Sequence, residues 1–181
     1  MDSTTRRYRL RPVTEDDWPF LFQVYASTRA EELARAPWSE AEKRAFLEMQ
    51  FNAQKRHYEQ HFAQASFHVV EIDGAPAGRL YVDRRADEIR VIDIALLPAF
   101  QRAGIGGQMM RDILTEARHR ALPTRIHVEH NNPAMRLYLR LGFRKIDEHG
   151  VYFLMECPPS PSTRPVTAPA TEPDDPGPEE S

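Results

Sequence analysis

The chain has a single cysteine, Cys157, among its 181 residues, so an internal disulfide is excluded. Cys157 stands beside two prolines with no neighbouring base, and a nucleophilic role is not expected of it. No run of eighteen apolar residues occurs, which argues against a membrane-spanning helix. The first ten residues, MDSTTRRYRL, lack the apolar centre of a secretion signal, and a cytoplasmic location is expected. A basic excess is also missing. Residues 158–181 hold five acids and one arginine, whereas the whole chain carries −3, so residues 1–157 carry about +1. That balance gives no support to nucleic-acid binding. Glycine is scarce as well, with eight in all, yet three of them fall within positions 104–107.

Eight of the fifteen prolines lie in residues 158–181, with almost no large apolar side chains. Such a segment cannot bury enough surface to offset its ordering entropy. The expected organisation is therefore one domain over residues 1–157 and a disordered acidic tail over 158–181.

Apolar periodicity orders the domain. Residues 6–13 alternate as a first strand. Thr14, with Asp17 three positions on, signals a helix running to about Ala34, and Pro37 stops it. Ser39 and Glu42 form a capping box for a long helix reaching about Ala63. Residues 66–72 and 77–84 flank Asp73-Gly74, a hairpin signal, and residues 88–97 read as a central strand. Ile105, Met109, Ile113 and Ala117 recur at spacing four and place one buried face on a helix over 104–121. Residues 124–130 form a further strand. A short helix follows, from Pro133 to Gly142, and a last hairpin turns around Gly150. The order predicts an α/β (α+β) fold: a mixed, mostly antiparallel central sheet with helices on both faces.

Pro98 ends the central strand because it offers no N–H to a ladder, and the glycine cluster opens the next helix. Glycine there leaves space for a ligand, and the free N–H groups of a first turn favour an anion. Each charge-assisted bond from such a group contributes on the order of 1.5–3 kcal/mol. Close helix packing is the other use of glycine at this place. No Gly-Lys-Ser/Thr follows, and the full dinucleotide spacing is missing, so neither common phosphate loop applies.

The run IALLPAFQRAGIGGQMM resembles the pyrophosphate-binding signature of the GNAT superfamily of acyl-CoA N-acyltransferases, with Gln101, Arg102, Ala103, Gly104, Ile105 and Gly106 matching its core. The downstream run NNPAMRLYLRLGF resembles the family's second conserved segment. This resemblance implies strands splayed at the cofactor site. It places the pantetheine arm of acetyl-CoA along Ile94, Ala95, Leu96 and Leu97, in a gap between strands 88–97 and 124–130. Backbone amides from Arg102 to Gly107 would hold the pyrophosphate. Tyr138 matches the tyrosine that protonates the leaving thiolate. Asn131 or Asn132 would touch the cofactor, and the other would cap the helix, with Asn131 favoured for the cofactor. Asp93, Glu129 and His57 are alternative general bases, and family members also use ordered water.

On the second helix, Gln50, Gln54, His57 and His61 fall within roughly 60° of one another at 100° per residue. Apolar neighbours on both sides predict that this polar stripe faces inward, as an internal network or as a wall of the acceptor cleft. The His57/His61 spacing suits a metal, but no third ligand is evident, and no metal is expected.

The reading that follows is an acetyl-CoA-dependent N-acetyltransferase acting directly on an amine, with no covalent enzyme intermediate. A non-catalytic acyl-CoA-binding module and an unrelated phosphate-ligand protein are the alternatives. No nucleic acid or membrane partner is expected, and the resemblance allows a homodimer.

Overall fold

Asp73 and Gly74 take φ values of 53° and 80°, the left-handed pair that a two-residue hairpin needs. They join β2 (Ser66–Ile72) to β3 (Ala75–Arg84) in the computed structural model, which describes residues 7–159. β1 (Tyr8–Pro12) lines the outer edge of β2, and Arg11 fastens it there through Glu71 at 2.7 Å and Asp17 at 2.7 Å. After a 3-10 turn at Glu15–Asp17 come α1 (Trp18–Ala34) and α2 (Glu40–His61). The Ser39–Glu42 box forms as expected, with the Ser39 N–H donating to Glu42 at 2.7 Å. β4 (Ile89–Leu96), α3 (Ile105–His119), β5 (Thr124–Glu129), α4 (Met135–Arg140), β6 (Arg144–His149) and β7 (Tyr152–Cys157) complete the order.

The described residues form one seven-stranded sheet in the order β1-β2-β3-β4-β5-β7-β6. Its pairs are antiparallel except β4 with β5. Strand alternation sends Val70, Leu80 and Val82 to one face, against Met109, Met110 and Ile113 of α3 and Phe143 after α4. Val69 faces the other way, against Leu21 and Tyr25 of α1 and Phe51 of α2. The sheet is therefore covered by helices on both faces.

Two elements differ from the sequence reading. Helix α4 begins at Met135, and Pro133 lies in the turn before it, where the Asn132 side chain accepts the Ala134 N–H at 2.8 Å. Helix α2 turns a different face inward. Phe51 is buried and Gln54, Lys55 and Tyr58 are half-buried, whereas Gln50, Ala53, His57 and His61 are exposed. The expected inward stripe is thus corrected by roughly 80° of rotation. Phe46 misleads the pattern because its ring packs on the exposed Trp38, 5.2 Å away, and not on the core. The acidic tail expected at 158–181 lies outside the described residues from position 160 onward.

Candidate active site

β4 and β5 pair over three residues only: Ile89 with Thr124, Arg90 with Arg125 and Val91 with Ile126. Ile92 is then a bulge, since Val82 faces Val91 while Tyr81 faces Asp93. A bulge adds bend and twist, and from this point β4 stays with β3 and leaves β5. The closed end is tied by Glu88, buried to 2% exposure, which accepts from Arg85, Arg90 and Arg125 within 3.1 Å. The open end is a gap in the middle of the sheet, flanked by residues 92–96 and 127–129.

The glycine loop stands at that gap. Leu97 N–H donates to Ala77, and the Gln101 amide nitrogen donates to the Leu96 carbonyl at 2.7 Å, so the loop is pinned to the end of β4. Gln101 thus supports the loop from below. Arg102 and Gly104 take φ values of 62° and 79°, which reverse the chain into α3. The helical ladder starts with Gln108 N–H on the Gly104 carbonyl at 3.0 Å, leaving the amides of residues 102–107 ahead of it. The three glycines differ in surroundings. A Cβ on Gly106 would meet nothing within 4 Å, so this position borders open space. A Cβ on Gly107 would lie 3.1 Å from Arg111 and 3.4 Å from Leu137, so Gly107 permits α3 and α4 to approach. Gly104 supplies the left-handed turn.

Tyr138 comes from α4, whose end is closed by Gly142 at φ 95°, with Phe143 N–H returning to the Tyr138 carbonyl at 3.0 Å. Its ring is 4% exposed and packs on Phe143 at 5.8 Å. Burial, with the charge of Asp93, pushes the Tyr138 hydroxyl up to about 12. The hydroxyl therefore keeps its proton at neutral pH.

Asp93 Oδ2 accepts from Arg79 at 2.7 Å and from the Tyr58 hydroxyl at 2.9 Å. Arg79, 3% exposed, was missed by sequence reasoning. Its signal was present: an arginine in the middle of a mainly apolar strand, on the same face as Tyr81 and one strand away from an aspartate. Burial and the Asp93 charge push the Tyr58 hydroxyl well above its ordinary value. Glu129, at the open end of β5, accepts from Arg29 of α1 at 3.1 Å and remains 38% exposed.

The sequence pattern of the acetyltransferase (GNAT) family matches residues 18–143. The chain belongs to this family. Solved structures agree in fold. The PaiA N-acetyltransferase of Thermoplasma acidophilum, solved with coenzyme A, is 18% identical with a TM-score of 0.64, covering 84% of this chain and 99% of its own. The ribosomal-protein-S18-alanine N-acetyltransferase of Escherichia coli is 19% identical, TM-score 0.58, covering 88% and 99%. A GNAT acetyltransferase of Elizabethkingia anophelis with acetyl-CoA bound is 17% identical, TM-score 0.55, covering 83% and 97%.

Within this GNAT chain the sequence-predicted residues separate into groups. The loop amides and residues 94–97 border the gap, Tyr138 is buried in α4 within electrostatic reach of Asp93 on the gap's edge, and Asn131 is exposed just past the end of β5. Asn132 is occupied in the turn before α4. The four residues assigned to the acceptor cleft do not form one wall. Gln54 faces inward and accepts from Arg79 at 3.1 Å, whereas His57 and His61 stack on each other at 4.3 Å on the exposed side of α2. Among the described residues no cluster of three or more His, Cys, Asp or Glu is placed to hold a metal, and no helix is long and apolar enough to cross a membrane.

Proposed function

We propose that this GNAT protein transfers an acetyl group from acetyl-CoA directly to an amine. The observation that carries the reading is the pairing of β4 with β5 over three residues beside the six amides of residues 102–107, which precede the hydrogen-bond ladder of α3. The coenzyme complex reported for the PaiA enzyme supports the same cosubstrate here. Acetyl-CoA supplies the activated thioester. The amides of residues 102–107 bind the diphosphate, and Gly106 leaves room for it. Residues 94–97 offer backbone groups to the pantetheine arm, as a strand would. Tyr138 holds a proton at its hydroxyl for the departing thiolate. Glu129, half-exposed at the gap, takes the proton of the incoming ammonium, directly or through water. Asp93, whose side chain is 13% exposed against 38% for Glu129 and is held by Arg79 and Tyr58, serves as a positioning charge. Exposure of His57 on the far side of α2 favours Glu129 over it as the base.

The test is Gly106→Ala. The added methyl meets no protein atom, and alanine in a helix turn stabilises by about 0.4–1 kcal/mol relative to glycine. Thermal stability should hold or rise, while calorimetry should show coenzyme A affinity at least about tenfold weaker. Unchanged affinity would sink the loop assignment. Release of free thiol from acetyl-CoA across an amine panel tests transfer itself, and hydrolysis without amine dependence would reject it.

A further inference from the structure

The arginines on the outer surface of α3 and α4 lack carboxylate partners. The side chains of Arg111, Arg136, Arg140 and Arg144 are exposed and enter no ion pair or hydrogen bond among the described residues. Arg118, also exposed, donates only to the Thr115 hydroxyl, at 2.9 Å. The sequence explains the imbalance. No Asp or Glu occurs between Asn131 and Ile146. On α3, Asp112 is taken by the Tyr8 hydroxyl at 2.6 Å and Glu116 by Arg84 at 2.7 Å. Since residues 1–157 carry about +1, five unpaired arginines are a local concentration of charge.

Three contacts join these charges into one ridge. A Cβ on Gly107 would lie 3.1 Å from Arg111 Nη1 and 3.4 Å from Leu137, so the Arg111 guanidinium folds back to the first turn of α3 beside α4. Arg118 and Leu141, the residue after Arg140, line one cavity of about 240 Å3. The charges of Arg118 and Arg144 both act on Cys157, which lines that cavity too. The ridge therefore follows α3 for roughly 22 Å, from the cavity to the glycine loop. Pro158 and Pro159 are also walls of the cavity, and from there the chain continues into residues 160–181. That segment holds Glu172, Asp174, Asp175, Glu179 and Glu180 against Arg164, a net charge of −4. Glu172 follows Pro159 by thirteen residues, a reach of up to about 40 Å at about 3.1 Å per residue. The acids can therefore lie anywhere along the ridge, and the tether holds them there at millimolar effective concentration.

We propose that the acidic segment 160–181 docks on this arginine ridge and competes with coenzyme A at the mouth of α3. The competition rests on the coenzyme reading above, whereas the docking does not. Carboxylates reaching Arg111 stand beside the amides assigned to the diphosphate, so the two anions exclude each other.

The probe is a labelled peptide of residues 160–181. Its receiver is the full chain neutralised by Glu172→Gln, Asp174→Asn, Asp175→Asn, Glu179→Gln and Glu180→Gln. In fluorescence anisotropy at about 20 mM salt, the peptide should bind the neutralised chain at least about tenfold more tightly than the unsubstituted chain, whose own segment occupies the ridge. About 0.5 M salt should abolish the binding. Arg118→Gln with Arg140→Gln, both exposed and away from the glycine loop, should weaken the peptide about tenfold or more in the neutralised chain, with the circular dichroism unchanged. Coenzyme A should bind the neutralised chain about threefold or more tightly than the unsubstituted chain at low salt, and equally at about 0.5 M. No binding to the neutralised chain, equal binding by both chains, persistence in high salt, or no loss in the arginine variant would each overturn the docking. Equal coenzyme A affinity of the two chains at low salt would overturn the competition. Coenzyme A bound by neither chain, with the peptide docking as expected, would reject the coenzyme reading and the competition with it.

Discussion

Tyr138, the acid in the proposed transfer, illustrates how surroundings fix the protonation state of one side chain. The residue is buried, its hydroxyl has no hydrogen-bond partner among the described residues, and burial pushes that hydroxyl up to about 12. Removing it as Tyr138→Phe should cut kcat about 100-fold and leave coenzyme A affinity unchanged by calorimetry. Glu129→Gln should instead lower kcat about tenfold or more at saturating acetyl-CoA, as loss of a base does. Equal loss of cofactor affinity in either variant would indicate that the gap itself had changed. Asp17 makes a different kind of contribution. The Arg11 guanidinium, helped by the Thr14 backbone and hydroxyl, holds its carboxyl down at about 2 despite burial. A folded value below the unfolded one near 3.9 means stability that is complete above about pH 4 and lost as pH falls towards 2. Asp17→Asn should therefore lower Tm by a constant amount from pH 5 to 7, and this difference should close between about pH 4 and pH 2. A difference that is constant down to pH 2 would assign the loss to geometry alone.

Strands β3 and β4 show what a single missing atom does for an element. A Cβ on Gly78 would lie 2.1 Å from the Ala95 carbonyl oxygen and 2.8 Å from the Leu96 side chain. Both neighbours are strand residues, and neither can retreat without moving β4. Gly78→Ala should cost about 2 kcal/mol or more and lower Tm by several degrees in a thermal melt. Gly106→Ala in α3 is the opposite case, since nothing opposes its methyl. The positions of the elements were legible because their signals are local. The Asp73-Gly74 turn, the Ser39–Glu42 box, the spacing-four face of α3 and the Gly142 stop each depend on a few adjacent residues. The glycine loop and Tyr138 were legible for the same reason, as each sits in a short contiguous motif. The inward face of α2 was not, because Phe46 finds its partner in Trp38 across a loop and imitates a core residue. Arg79 was not either, because its role exists only once β3 and β4 are set side by side.

The whole molecule is a sheet closed at one end and open at the other. At the closed end, three arginines converge on Glu88, and Arg125 extends the tie to Glu156 of β7 at 2.7 Å. At the open end, α1 reaches β5 through Arg29 and Glu129. A ligand that binds only the folded state raises stability by about 2.7 kcal/mol at a hundred times its Kd. Coenzyme A at that excess should raise Tm by about 5–10 °C for a domain of this size. The absence of any rise in scanning fluorimetry would contradict an assembled cofactor gap.

That β4 and β5 part company after Val91 has a consequence for solvent exchange. Alternate peptide groups along a strand point to opposite sides, so some amides in residues 92–96 look towards β3 and others towards the vacant flank. In heavy water the first set should acquire deuterium slowly and the second quickly. Filling the flank should bring the second set to the slow rate of the first, a two-class pattern that a continuous sheet would not give.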